Sequence, residues 1–534
     1  MKEIIEEDRN LLTIKEASKW ASNYLNRNVS ESNIAYLIQY GLFPKYNSSG
    51  PTLIDLNELK TYYQSYQKNK LQTWKNKVGE DLNWALSFDH LREKDTTKHV
   101  HRLHPYKGKF IPQLVEYFID NHINDFKKNI YFNPGDIILD PFAGSGTTLV
   151  QANELGIHSI GIDISRFNCM IAEVKLLDYD FVSLQEDISD IKYALLGYEN
   201  RQNIGIFETE LTEELSKFNK QYFPSPEFKV KVRLGEIDEN SYSKEKEKEF
   251  LRIYCNLVKK YGIKLEQTNS DTFLDKWYCK NVRDEIDFVY NLVRQIKNEK
   301  NKKAISVVLS RTIRSCRATT HYDLATLKEP QLTTYYCFKH KKICKPVFSI
   351  KYWLNRYAND TIKRLMEYKS LRKDSYFSLI PEDSRTVDIF SEVEKQNKDF
   401  CNILKNQKIS GIFTSPPYVG QIDYHEQHAY AYDLFDLERK DELEIGPLFK
   451  GQGKEARESY VKGISEVLLN CRKYMVQNFN IFLVANDKYG LYPEIVKKAG
   501  MYIFNEHKRP VLNRTERDKN PYSEIIFHIK NEKE

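Results

Sequence analysis

The sequence has little that would place it in a membrane or in a disulfide-bonded extracellular fold. None of its apolar runs approaches the roughly 18 residues of a membrane span. The first residues are charged and have no apolar core of the signal-peptide kind. Its 8 cysteines stand at irregular spacing, which excludes a disulfide framework. We therefore expect a cytoplasmic chain that does not act at a membrane.

An excess of charge of one sign is also missing. Lysine and arginine number 81 against 75 acidic residues, and the net charge of +6 is small for 534 residues. Any basic surface must therefore be local, with acidic segments elsewhere. The hydrophobic fraction of 41% is enough for large cores and excludes wholesale disorder. At roughly 100–200 residues per domain, we expect about three or four domains.

Residues 1–66 predict a small helical unit. Thr13 and Glu16 have the spacing of a capping box, which opens a helix. Ser30 can cap a second helix, whose apolar residues recur at helical spacing and which Gly41 would end. This much is compatible with a packing or dimerisation module of three helices.

A third helix and a short extended stretch complete the N-terminal pattern. Residues 42–46 predict the extended stretch, and Asp55 with Glu58 opens the helix. The order of helix, turn, helix, wing and helix resembles the winged helix-turn-helix of MerR or excisionase type. The dimerisation module remains the alternative. The following Lys-rich segment, 67–94, is predicted to be a linker.

The strongest pattern is that of an α/β sheet. A short apolar strand at 137–139 runs into the glycine-rich turn 140–148, and a helix follows. A second strand, 159–164, carries Asp163 near its end. Strand, glycine-rich turn, helix and strand are the doubly wound pattern, in which ligands bind at the carboxyl ends of the strands.

A long helical insertion divides this sheet. Residues 181–380 are charged and mainly helical in character, and strand patterns resume only at the strand that ends in 415–418. The last strands of the chain read as an antiparallel pair. The sequence therefore predicts an α/β fold with a Rossmann-like sheet built from 95–180 and 381–534.

The glycine-rich turn predicts a site for a ligand with an anionic group and a ribose. Gly144 and Gly146 let the backbone approach the ligand, and the following helix N-terminus favours an anion such as a carboxylate. Asp163 stands where an acid can accept hydrogen bonds from ribose hydroxyls. The glycine spacing is not that of a dinucleotide fingerprint, and no Gly-Lys-Ser/Thr follows, so NAD and ATP are disfavoured.

The segment from Thr414 to Tyr418, Thr-Ser-Pro-Pro-Tyr, predicts a site for an amino group. Pro416 and Pro417 remove two backbone donors and leave carbonyl acceptors at a strand end. Tyr418 supplies an aromatic face on which a base can stack. A strand end with fixed acceptors and a stacking face suits the exocyclic amine of a nucleobase.

Together the two segments resemble motifs I and IV of S-adenosylmethionine-dependent DNA amino-methyltransferases, which act on cytosine N4 or adenine N6. The stretch 102–112 resembles motif X, which contacts the methionine end of the cofactor. Asp163 matches the acid that binds the ribose, and Asp383 resembles the acid of motif III that reads the adenine. The resemblance covers 95–178 and 380–530. The order differs from the common β class, because here the cofactor half comes first.

The resemblance implies residue roles. S-adenosylmethionine would contact Lys109, Phe110, Ile111, Pro112, Asp140, Pro141, Phe142, Gly144, Gly146, Thr147, Thr148, Asp163, Ile164, Asp383, Ser384 and Thr414. Catalysis would use Ser415, Pro416, Pro417 and Tyr418.

The implied reaction is methyl transfer to a flipped base in double-stranded DNA. The amine would donate to the Ser415 hydroxyl and the Pro416 carbonyl while Tyr418 stacks on the base, and transfer would be direct and in line. In this family a serine before Pro-Pro-Tyr usually accompanies cytosine, so N4 of cytosine is favoured over N6 of adenine. The alternatives are an RNA base methyltransferase and a DNA-binding regulator with an inactive fold.

The cellular setting implied is restriction-modification or phage defence, with a cognate restriction endonuclease or another defence subunit as partner. No Pro-Cys-Gln element is present, so methylation of cytosine C5 by a cysteine nucleophile is disfavoured. By resemblance the insertion, 181–380, would recognise the target. Within it Arg311, Arg314 and Arg317 recur every third residue and could face DNA. The alternative is that they bind carboxylates between the two lobes.

Two groups of residues invite a metal interpretation. Cys337, His340 and Cys344 have zinc-ligand spacing, with Cys316 or Cys279 as a candidate fourth ligand. Three ligands without a clear fourth make buried thiols the better prediction, and no metal is assigned. The second group lies just before the motif X match, where polar contacts would explain it equally well; its members are His99, His101 and His104.

Overall fold

The computed structural model describes most of the chain. The described residues are 10–25, 29–39, 42–43, 46, 51–79, 81–88, 91, 93–106, 108–199, 203–266, 271–321, 328–512 and 521–532. The predicted helix end at Gly41, part of the stretch 42–46 (Pro44 and Lys45) and Lys107 of the motif X match lie outside these residues.

The N-terminal unit consists of three helices and a two-stranded antiparallel sheet. Its elements are β1 (Leu11–Thr13), α1 (Ile14–Tyr24), α2 (Glu31–Gln39), β2 (Leu53–Asp55) and α3 (Leu56–Val78). The capping box is present, since the backbone nitrogen of Glu16 donates to Thr13 Oγ1 at 3.3 Å and Thr13 N donates to the Glu16 carboxylate at 2.9 Å. The three predicted helices are confirmed.

Two N-terminal predictions differ from the structure. Helix α3 continues to Val78, so the first part of the predicted linker is helical. Its lysine, glutamine and leucine residues favour a helix, and no glycine or proline interrupts them. Leu42 and Phe43 form a bend rather than a strand, because Phe43 turns into the small core of this unit.

A seven-stranded sheet forms the centre of the rest of the molecule. The remaining strands are β3 (Ile137–Asp140), β4 (His158–Ile162), β5 (Tyr335–Cys337), β6 (Lys342–Cys344), β7 (Phe377–Ile380), β8 (Ile409–Thr414), β9 (Met475–Ala485), β10 (Met501–Val511) and β11 (Tyr522–Asn531). The sheet order is β10-β11-β9-β8-β3-β4-β7. Strand β11 is antiparallel to both of its neighbours, and the other pairs are parallel. The mixed α/β sheet with an antiparallel C-terminal pair is as predicted.

Helices cover both faces of the sheet and build the insertion. They are α4 (Glu93–Thr96), α5 (Pro112–Ile119), α6 (Thr147–Glu154), α7 (Arg166–Leu176), α8 (Phe181–Glu199), α9 (Ile204–Tyr222), α10 (Glu227–Leu234), α11 (Glu239–Tyr261), α12 (Phe273–Trp277), α13 (Lys280–Gln295), α14 (Glu299–Cys316), α15 (Lys351–Lys369), α16 (Ile389–Gln396), α17 (Lys398–Gln407), α18 (Tyr424–Gln427), α19 (Ala429–Phe435), α20 (Lys454–Arg472) and α21 (Tyr492–Lys498). Among the described residues, none of the helices combines the length and the apolar character needed to cross a bilayer.

Alternation along β3 shows how the sheet is buried. Ile137 and Leu139 enter the core that contains α20 and α21, whereas Ile138 enters the core on the opposite face, against α5. A strand that is buried on both faces must be apolar throughout, and residues 137–139 are. Such a strand has no place for polar side chains along its length. Polar residues that form a site are therefore expected just beyond the strand ends.

The chain leaves the sheet after α7 and returns at β7. Between them lie α8 to α15 and the hairpin of β5 and β6, and the apolar core of this insertion is continuous with that of α7. Helix α14 begins directly after Asn298, whose side chain accepts hydrogen bonds from the backbone nitrogens of Lys300 and Asn301 and so caps the helix. Residues 377–380, assigned to the insertion from the sequence, pair with β4 as a strand of the sheet.

Candidate active site

Polar segments that follow four parallel strands meet at one edge of the sheet. Strands β7, β4, β3 and β8 are neighbours, so their carboxyl ends lie side by side. A cavity at this edge is lined by Tyr106, Gly108, Lys109, Phe110, Asp140, Pro141, Phe142, Ala143, Gly144, Ser145, Thr147, Asp163, Ile164, Ser165, Asn168, Asp383, Ser384, Ser415, Pro417, Tyr424, His425, Leu443, Glu444 and Ile445. Segments that are far apart in the sequence thus share one cavity.

The cavity contains most of the predicted site residues. Those that line it are Lys109, Phe110, Asp140, Pro141, Phe142, Gly144, Thr147, Asp163, Ile164, Asp383, Ser384, Ser415 and Pro417. The predicted residues outside its lining are Ile111, Pro112, Gly146, Thr148, Thr414, Pro416 and Tyr418. Several of the second group hold the walls in place through packing or hydrogen bonds.

Gly144 is at the point where the turn after β3 approaches the end of β4. Its φ is +47°, and an added Cβ would lie 2.8 Å from the Tyr106 hydroxyl. Its backbone nitrogen donates to Asp163 Oδ2 at 2.9 Å. A side chain at this position would be strained at this φ and would collide with Tyr106, so the turn requires glycine. The hydrogen bond to Asp163 holds the turn against the end of β4.

Gly146 and Thr148 act behind the cavity wall. A Cβ on Gly146 would lie 2.6 Å from the Cβ of Ala172, so this glycine allows α6 to pack closely on α7. The Thr148 hydroxyl donates to the carbonyl of Phe413 at 3.2 Å and thereby ties α6 to β8. We therefore propose that Gly146 and Thr148 support the cavity wall, instead of contacting the ligand directly as was predicted.

Asp163 is held in one orientation by three donors. Besides the bond from Gly144, Asp163 Oδ1 accepts two hydrogen bonds. The backbone nitrogen of Ser165 donates one at 2.9 Å, and the side-chain amide of Asn168 donates the other at 3.1 Å. Burial raises the pKa of Asp163, while hydrogen bonds from Ser165, Asn168 and Gly144 act in the opposite direction. The carboxylate is thus preorganised at the cavity wall with lone pairs left for a ligand.

Asp140 joins the ends of two neighbouring strands. Its Oδ1 accepts from the Thr414 hydroxyl at 2.6 Å and from the backbone nitrogen of Phe142 at 3.1 Å. The side chain is almost completely buried, and burial raises its pKa to about 6. Thr414 therefore couples the glycine-rich turn to the strand that carries Ser415.

Asp383 and Ser384 follow β7 and close the third side of the cavity. The Asp383 carboxylate accepts from Arg385 Nε and Nη2 at 2.9 and 2.6 Å. The Ser384 hydroxyl donates to the Pro141 carbonyl at 2.6 Å, and the Asn470 amide donates to the Ser384 carbonyl at 3.1 Å. These bonds fix the segment after β7 against the turn after β3.

The Ser-Pro-Pro-Tyr segment lies between two cavities. Ser415 and Pro417 line the cavity described above, whereas Tyr418 lines an adjoining one with Asn486 and Asp487. Pro416 is buried. The segment thus separates the predicted cofactor side from a second recess.

The phenol of Tyr418 is anchored on the C-terminal pair of strands. Its hydroxyl donates to Glu524 Oε1 at 3.0 Å, and Glu524 Oε2 accepts from Arg509 Nη2 at 2.7 Å. Both side chains of that ion pair are largely buried, at 5% and 12% exposed. The antiparallel edge therefore sets the position of the Tyr418 ring.

Several lining residues were not predicted as site residues. Tyr106 is part of the motif X match but was not singled out, and its ring stacks on that of Tyr424 with centroids 6.0 Å apart. The backbone nitrogen of His425 donates to Glu444 Oε1 at 2.9 Å, and its Nδ1 also contacts that oxygen. Tyr424 and His425 begin the single-turn helix α18 and Glu444 lies in a loop, so no periodic pattern could have marked them.

The motif X match and the residues just before it contribute a half-buried lysine and three buried histidines. Lys109 donates to the His101 carbonyl at 2.5 Å, and burial lowers its pKa to about 8. His99 Nε2 lies 2.9 Å from a Glu154 oxygen, and His104 Nδ1 lies 3.0 Å from the Pro105 carbonyl. His99, His101 and Glu154 also place ligand atoms within 4.8 Å of one another, so the polar-contact and the metal interpretations of these histidines both stay predictions.

Arg311 and Arg314 lie in α14 and Arg317 directly follows it. The three side chains do not share one environment. Arg311 is 8% exposed, its Nη1 donates to Asp360 Oδ2 at 2.7 Å, and its guanidinium lies 4.1 Å from the Tyr357 ring centroid. Arg314 and Arg317 are half-buried near the helix end. Because α15 covers the middle of α14, the DNA-facing position expected for Arg311 is wrong, and Arg311 binds a carboxylate instead.

Comparisons with known proteins find related DNA methyltransferases. A family model described as DNA methylase matches residues 4–174. The type II methyltransferase M.MjaII of Methanocaldococcus jannaschii is 50% identical over 533 residues, which are 99% of this chain and 98% of that protein. M.MvaI of Kocuria varians is 32% identical over 117 residues, 22% of this chain and 23% of its own. M.BsoBI of Geobacillus stearothermophilus is 31% identical over 207 residues, 35% and 39% of the two chains.

Proposed function

We propose that this chain, which belongs to the family of type II DNA methyltransferases, transfers a methyl group from S-adenosylmethionine to the exocyclic amine of a flipped base, preferentially N4 of cytosine. The observation that carries the proposal is the shared cavity. It joins Gly144, Asp163 and Asp383, the expected cofactor side, to Ser415, the expected base side. N6 of adenine is the alternative acceptor.

The residues of the cavity fit the proposed cofactor. Gly144 leaves room that a Cβ would fill, and the Ser145 hydroxyl is buried without a hydrogen-bond partner among the described residues. The N-terminus of α6 suits the methionine carboxylate, Asp163 the ribose hydroxyls, and Asp383 with Ser384 the adenine. S-adenosylmethionine supplies an electrophilic methyl group on a sulfonium. The protein has only to hold this methyl group in line with the attacking nitrogen.

The residues around Ser415 would orient that nitrogen. The Ser415 hydroxyl and the Pro416 carbonyl accept hydrogen bonds from the two amine protons, which directs the nitrogen lone pair toward the methyl group. As the new nitrogen–carbon bond forms, the carbon–sulfur bond of the sulfonium would break and leave S-adenosylhomocysteine, and the methylated nitrogen would release one proton to solvent water. The ring of Tyr418, held by Glu524, would support the face of the base. We place the flipped base in the shared cavity, on the side of Ser415 and Pro417, so that its amine can approach the methyl group.

The choice between cytosine and adenine depends on Ser415. Its hydroxyl is a neutral acceptor and weaker than the carboxylate that usually accompanies adenine. More of the orientation would therefore come from the Pro416 carbonyl. The preference for cytosine N4 follows from the family pattern at this position.

The rest of the chain would supply DNA contacts. We propose that the insertion, 181–376, recognises the target and that residues 1–66 act as a helix-turn-helix unit. The sheet formed by the two halves of the chain would carry the chemistry. A restriction endonuclease that cuts the same site is the partner we propose, in keeping with the type II names of the relatives.

The test of the reaction class is transfer of labelled methyl groups from S-adenosylmethionine to plasmid DNA and to transfer RNA. We expect label on DNA alone, and loss of most transfer in Ser415→Ala. Ser370→Ala, on an exposed serine at the end of α15, is the control and should retain activity. Label on RNA alone would favour the RNA alternative. Binding of DNA without any transfer would favour a regulator with an inactive fold.

A further inference from the structure

Four side chains with metal-ligand chemistry come together in the insertion, apart from the cavity at the sheet edge. His321, Cys337, His340 and Cys344 each offer one ligand atom, and these atoms all lie within 4.8 Å of one another. Both thiols are buried, at 2% and 9% exposed, and neither is in a disulfide. We call this group the Cys2His2 cluster.

The fourth member of the cluster was not evident in the sequence. The spacing of Cys337, His340 and Cys344 suggested a zinc site that lacked one ligand, with Cys316 or Cys279 as candidates. Among the described residues, neither of those cysteines belongs to the cluster. His321, which comes after α14, takes that place because tertiary folding brings its segment beside the hairpin.

The hairpin of β5 and β6 holds three of the four residues. Cys337 ends β5 and Cys344 ends β6. Lys341, at φ +55°, makes the turn tight, and its backbone nitrogen donates to the Cys337 carbonyl at 2.6 Å. The turn brings His340 back over the hairpin, so that its Nδ1 lies 3.6 Å from Cys344 Sγ.

The orientation of His321 is fixed by a neighbouring phenol. Its Nδ1 lies 2.7 Å from the Tyr335 hydroxyl, which leaves Nε2 as the nitrogen that can bind a metal. Metal-binding histidines commonly engage their other ring nitrogen in this way. The His321 and His340 rings also meet edge to face, with centroids 4.3 Å apart.

We infer that the Cys2His2 cluster binds a structural zinc ion. Two thiolates and two neutral imidazoles are a ligand set that zinc prefers, and four protein ligands complete its tetrahedral coordination. Such a closed set leaves no position for substrate, as in structural rather than catalytic sites. The site is therefore independent of methyl transfer.

The hairpin is small enough to need such a link. Each of its strands has 3 residues, and one face, Tyr336 and Ile343, packs into the core of the insertion. On the other face the described residues form a cluster of just Tyr335, Cys337 and Cys344. An isolated two-stranded hairpin is marginally stable in water. A metal ion is a common substitute for an apolar core in small units of this kind.

The ion would cross-link two parts of the insertion. Asn219 of α9 bonds both backbone groups of Ile343, at 2.9 and 3.0 Å, and Glu239 of α11 accepts from Tyr336 at 3.0 Å and from Lys341 at 2.5 Å. The hairpin is thus fixed on α9 and α11. Through His321, zinc would attach the segment after α14 to the same helices.

The direct test is metal analysis of the full-length untagged protein, purified under reducing conditions and without added metal. We expect about one zinc ion per chain by inductively coupled plasma mass spectrometry. Cys337→Ser, Cys344→Ser and His321→Ala should each contain almost none. Cys255→Ser, on an exposed cysteine outside the cluster, and His122→Ala are the matched controls and should keep the full content.

Unfolded variants must be distinguished from folded variants without metal. Far-UV circular dichroism gives the helix content of each variant, and hydrogen exchange compares the wild-type protein before and after chelation. We expect faster exchange in the peptides that contain residues 317–321 and 335–344, reversed by added zinc, with the sheet unaffected. Cobalt in place of zinc should give thiolate charge-transfer bands and the visible absorption of a tetrahedral site.

Two results would overturn the inference. One is wild-type protein that contains no zinc and takes up none when zinc is added to the reduced chain. The other is a thiol titration of the freshly purified, denatured protein that finds two thiols fewer than the 8 in the sequence, with peptide mapping that joins Cys337 to Cys344.

Discussion

The sheet edge and the helical insertion hold their polar residues by different means. At the sheet edge, Asp140, Asp163, Asp383 and Ser415 each follow a strand, and the parallel arrangement of the strands brings them together. In the insertion, polar groups meet only because helices pack, as Arg311 of α14 meets Asp360 of α15. Local sequence motifs therefore indicate the site at the sheet edge, whereas only tertiary contacts show which polar groups meet in the insertion.

The two regions also treat buried carboxylates differently. Asp140 at the sheet edge is buried, its hydrogen-bond partners among the described residues include no cation, and burial raises its pKa to about 6. Asp360 is opposed by Arg364 and Arg311; burial alone would raise its pKa, but their hydrogen bonds and charges hold it below the ordinary value. Ionised Asp140 therefore lowers the stability of the folded chain, as expected of a carboxylate at a ligand site. Asp360, paired with two arginines, stabilises the fold instead.

The largest expected difference is in the pH dependence of stability. The folded pKa of Asp140 is raised from 3.8, so the stabilisation from its protonation is complete below about pH 4 and is lost as the pH rises through about 6. Above that pH the ionised group costs up to about 3 kcal/mol, since a pKa unit is about 1.4 kcal/mol. Asp140→Asn keeps the acceptor for Thr414, so at pH 8 it should be more stable than the wild type in urea unfolding, with no difference near pH 4.

Asp360→Asn is the matched variant in the insertion and should behave in the opposite way. Because its folded pKa is lowered, its contribution is present above the unfolded pKa and is lost as the pH falls. The variant should therefore be less stable at pH 8. If both variants change stability in the same direction at pH 8, the contrast between the regions is not electrostatic.

The second prediction compares two glycines in left-handed conformations. Gly144→Val at the sheet edge should weaken S-adenosylmethionine binding by about 100-fold, or about 2.7 kcal/mol, because its side chain has to displace Tyr106. Gly235→Val, at the end of α10, has φ +76° and no atom within 4 Å of its Cβ, so it adds backbone strain alone. Calorimetry should find unchanged affinity in that control. Equal losses in both would mean that the cavity at Gly144 is not the cofactor site.

The third prediction separates two arginines of one series. Arg311→Met should lower the free energy of unfolding by about 2 kcal/mol, because it removes a buried partner of Asp360, which Arg364 still contacts. Its DNA affinity should change little. Arg317→Met should instead keep its stability and bind DNA more weakly, with a smaller dependence on salt. Denaturant unfolding and fluorescence anisotropy measure the two effects, and an exchange of the two outcomes would contradict the assignment.

The smallest effect is expected from removal of the N-terminal unit. A chain that begins at Asp81, after the end of α3, should bind DNA about tenfold more weakly, about 1.4 kcal/mol, with a shallower salt slope. It should still methylate DNA, because none of the described residues of the unit lines the cavity. Unchanged affinity together with a change from dimer to monomer in sedimentation would assign the unit to self-association.

Much of the sheet could be predicted because local rules determine it. Apolar strands, the turn at Gly144 and the acid at Asp163 each have a signature within a few residues, and the antiparallel C-terminal pair showed its alternation. Strand β7 was missed as part of the sheet because a helical insertion precedes it and its partner, β4, lies far away in the sequence.

The parts that could not be predicted depend on contacts between distant segments. Tyr424 and His425 reach the cavity from the single-turn helix α18 and Glu444 from a loop. His321 joins Cys337 and Cys344 from beyond α14. The spacing of Arg311, Arg314 and Arg317 predicted one helical face toward DNA. However, only the packing of α15 shows that Arg311 is buried.

The most direct test of the proposed reaction is nucleoside analysis of its product. DNA incubated with the purified protein and S-adenosylmethionine is digested to nucleosides and examined by mass spectrometry beside an Asp163→Ala reaction. We predict N4-methylcytosine with the wild type and none with the variant. N6-methyladenine alone would contradict the preference assigned to Ser415 but retain transfer to an amine. The appearance of 5-methylcytosine, or of no methylated nucleoside at all, would contradict the central claim.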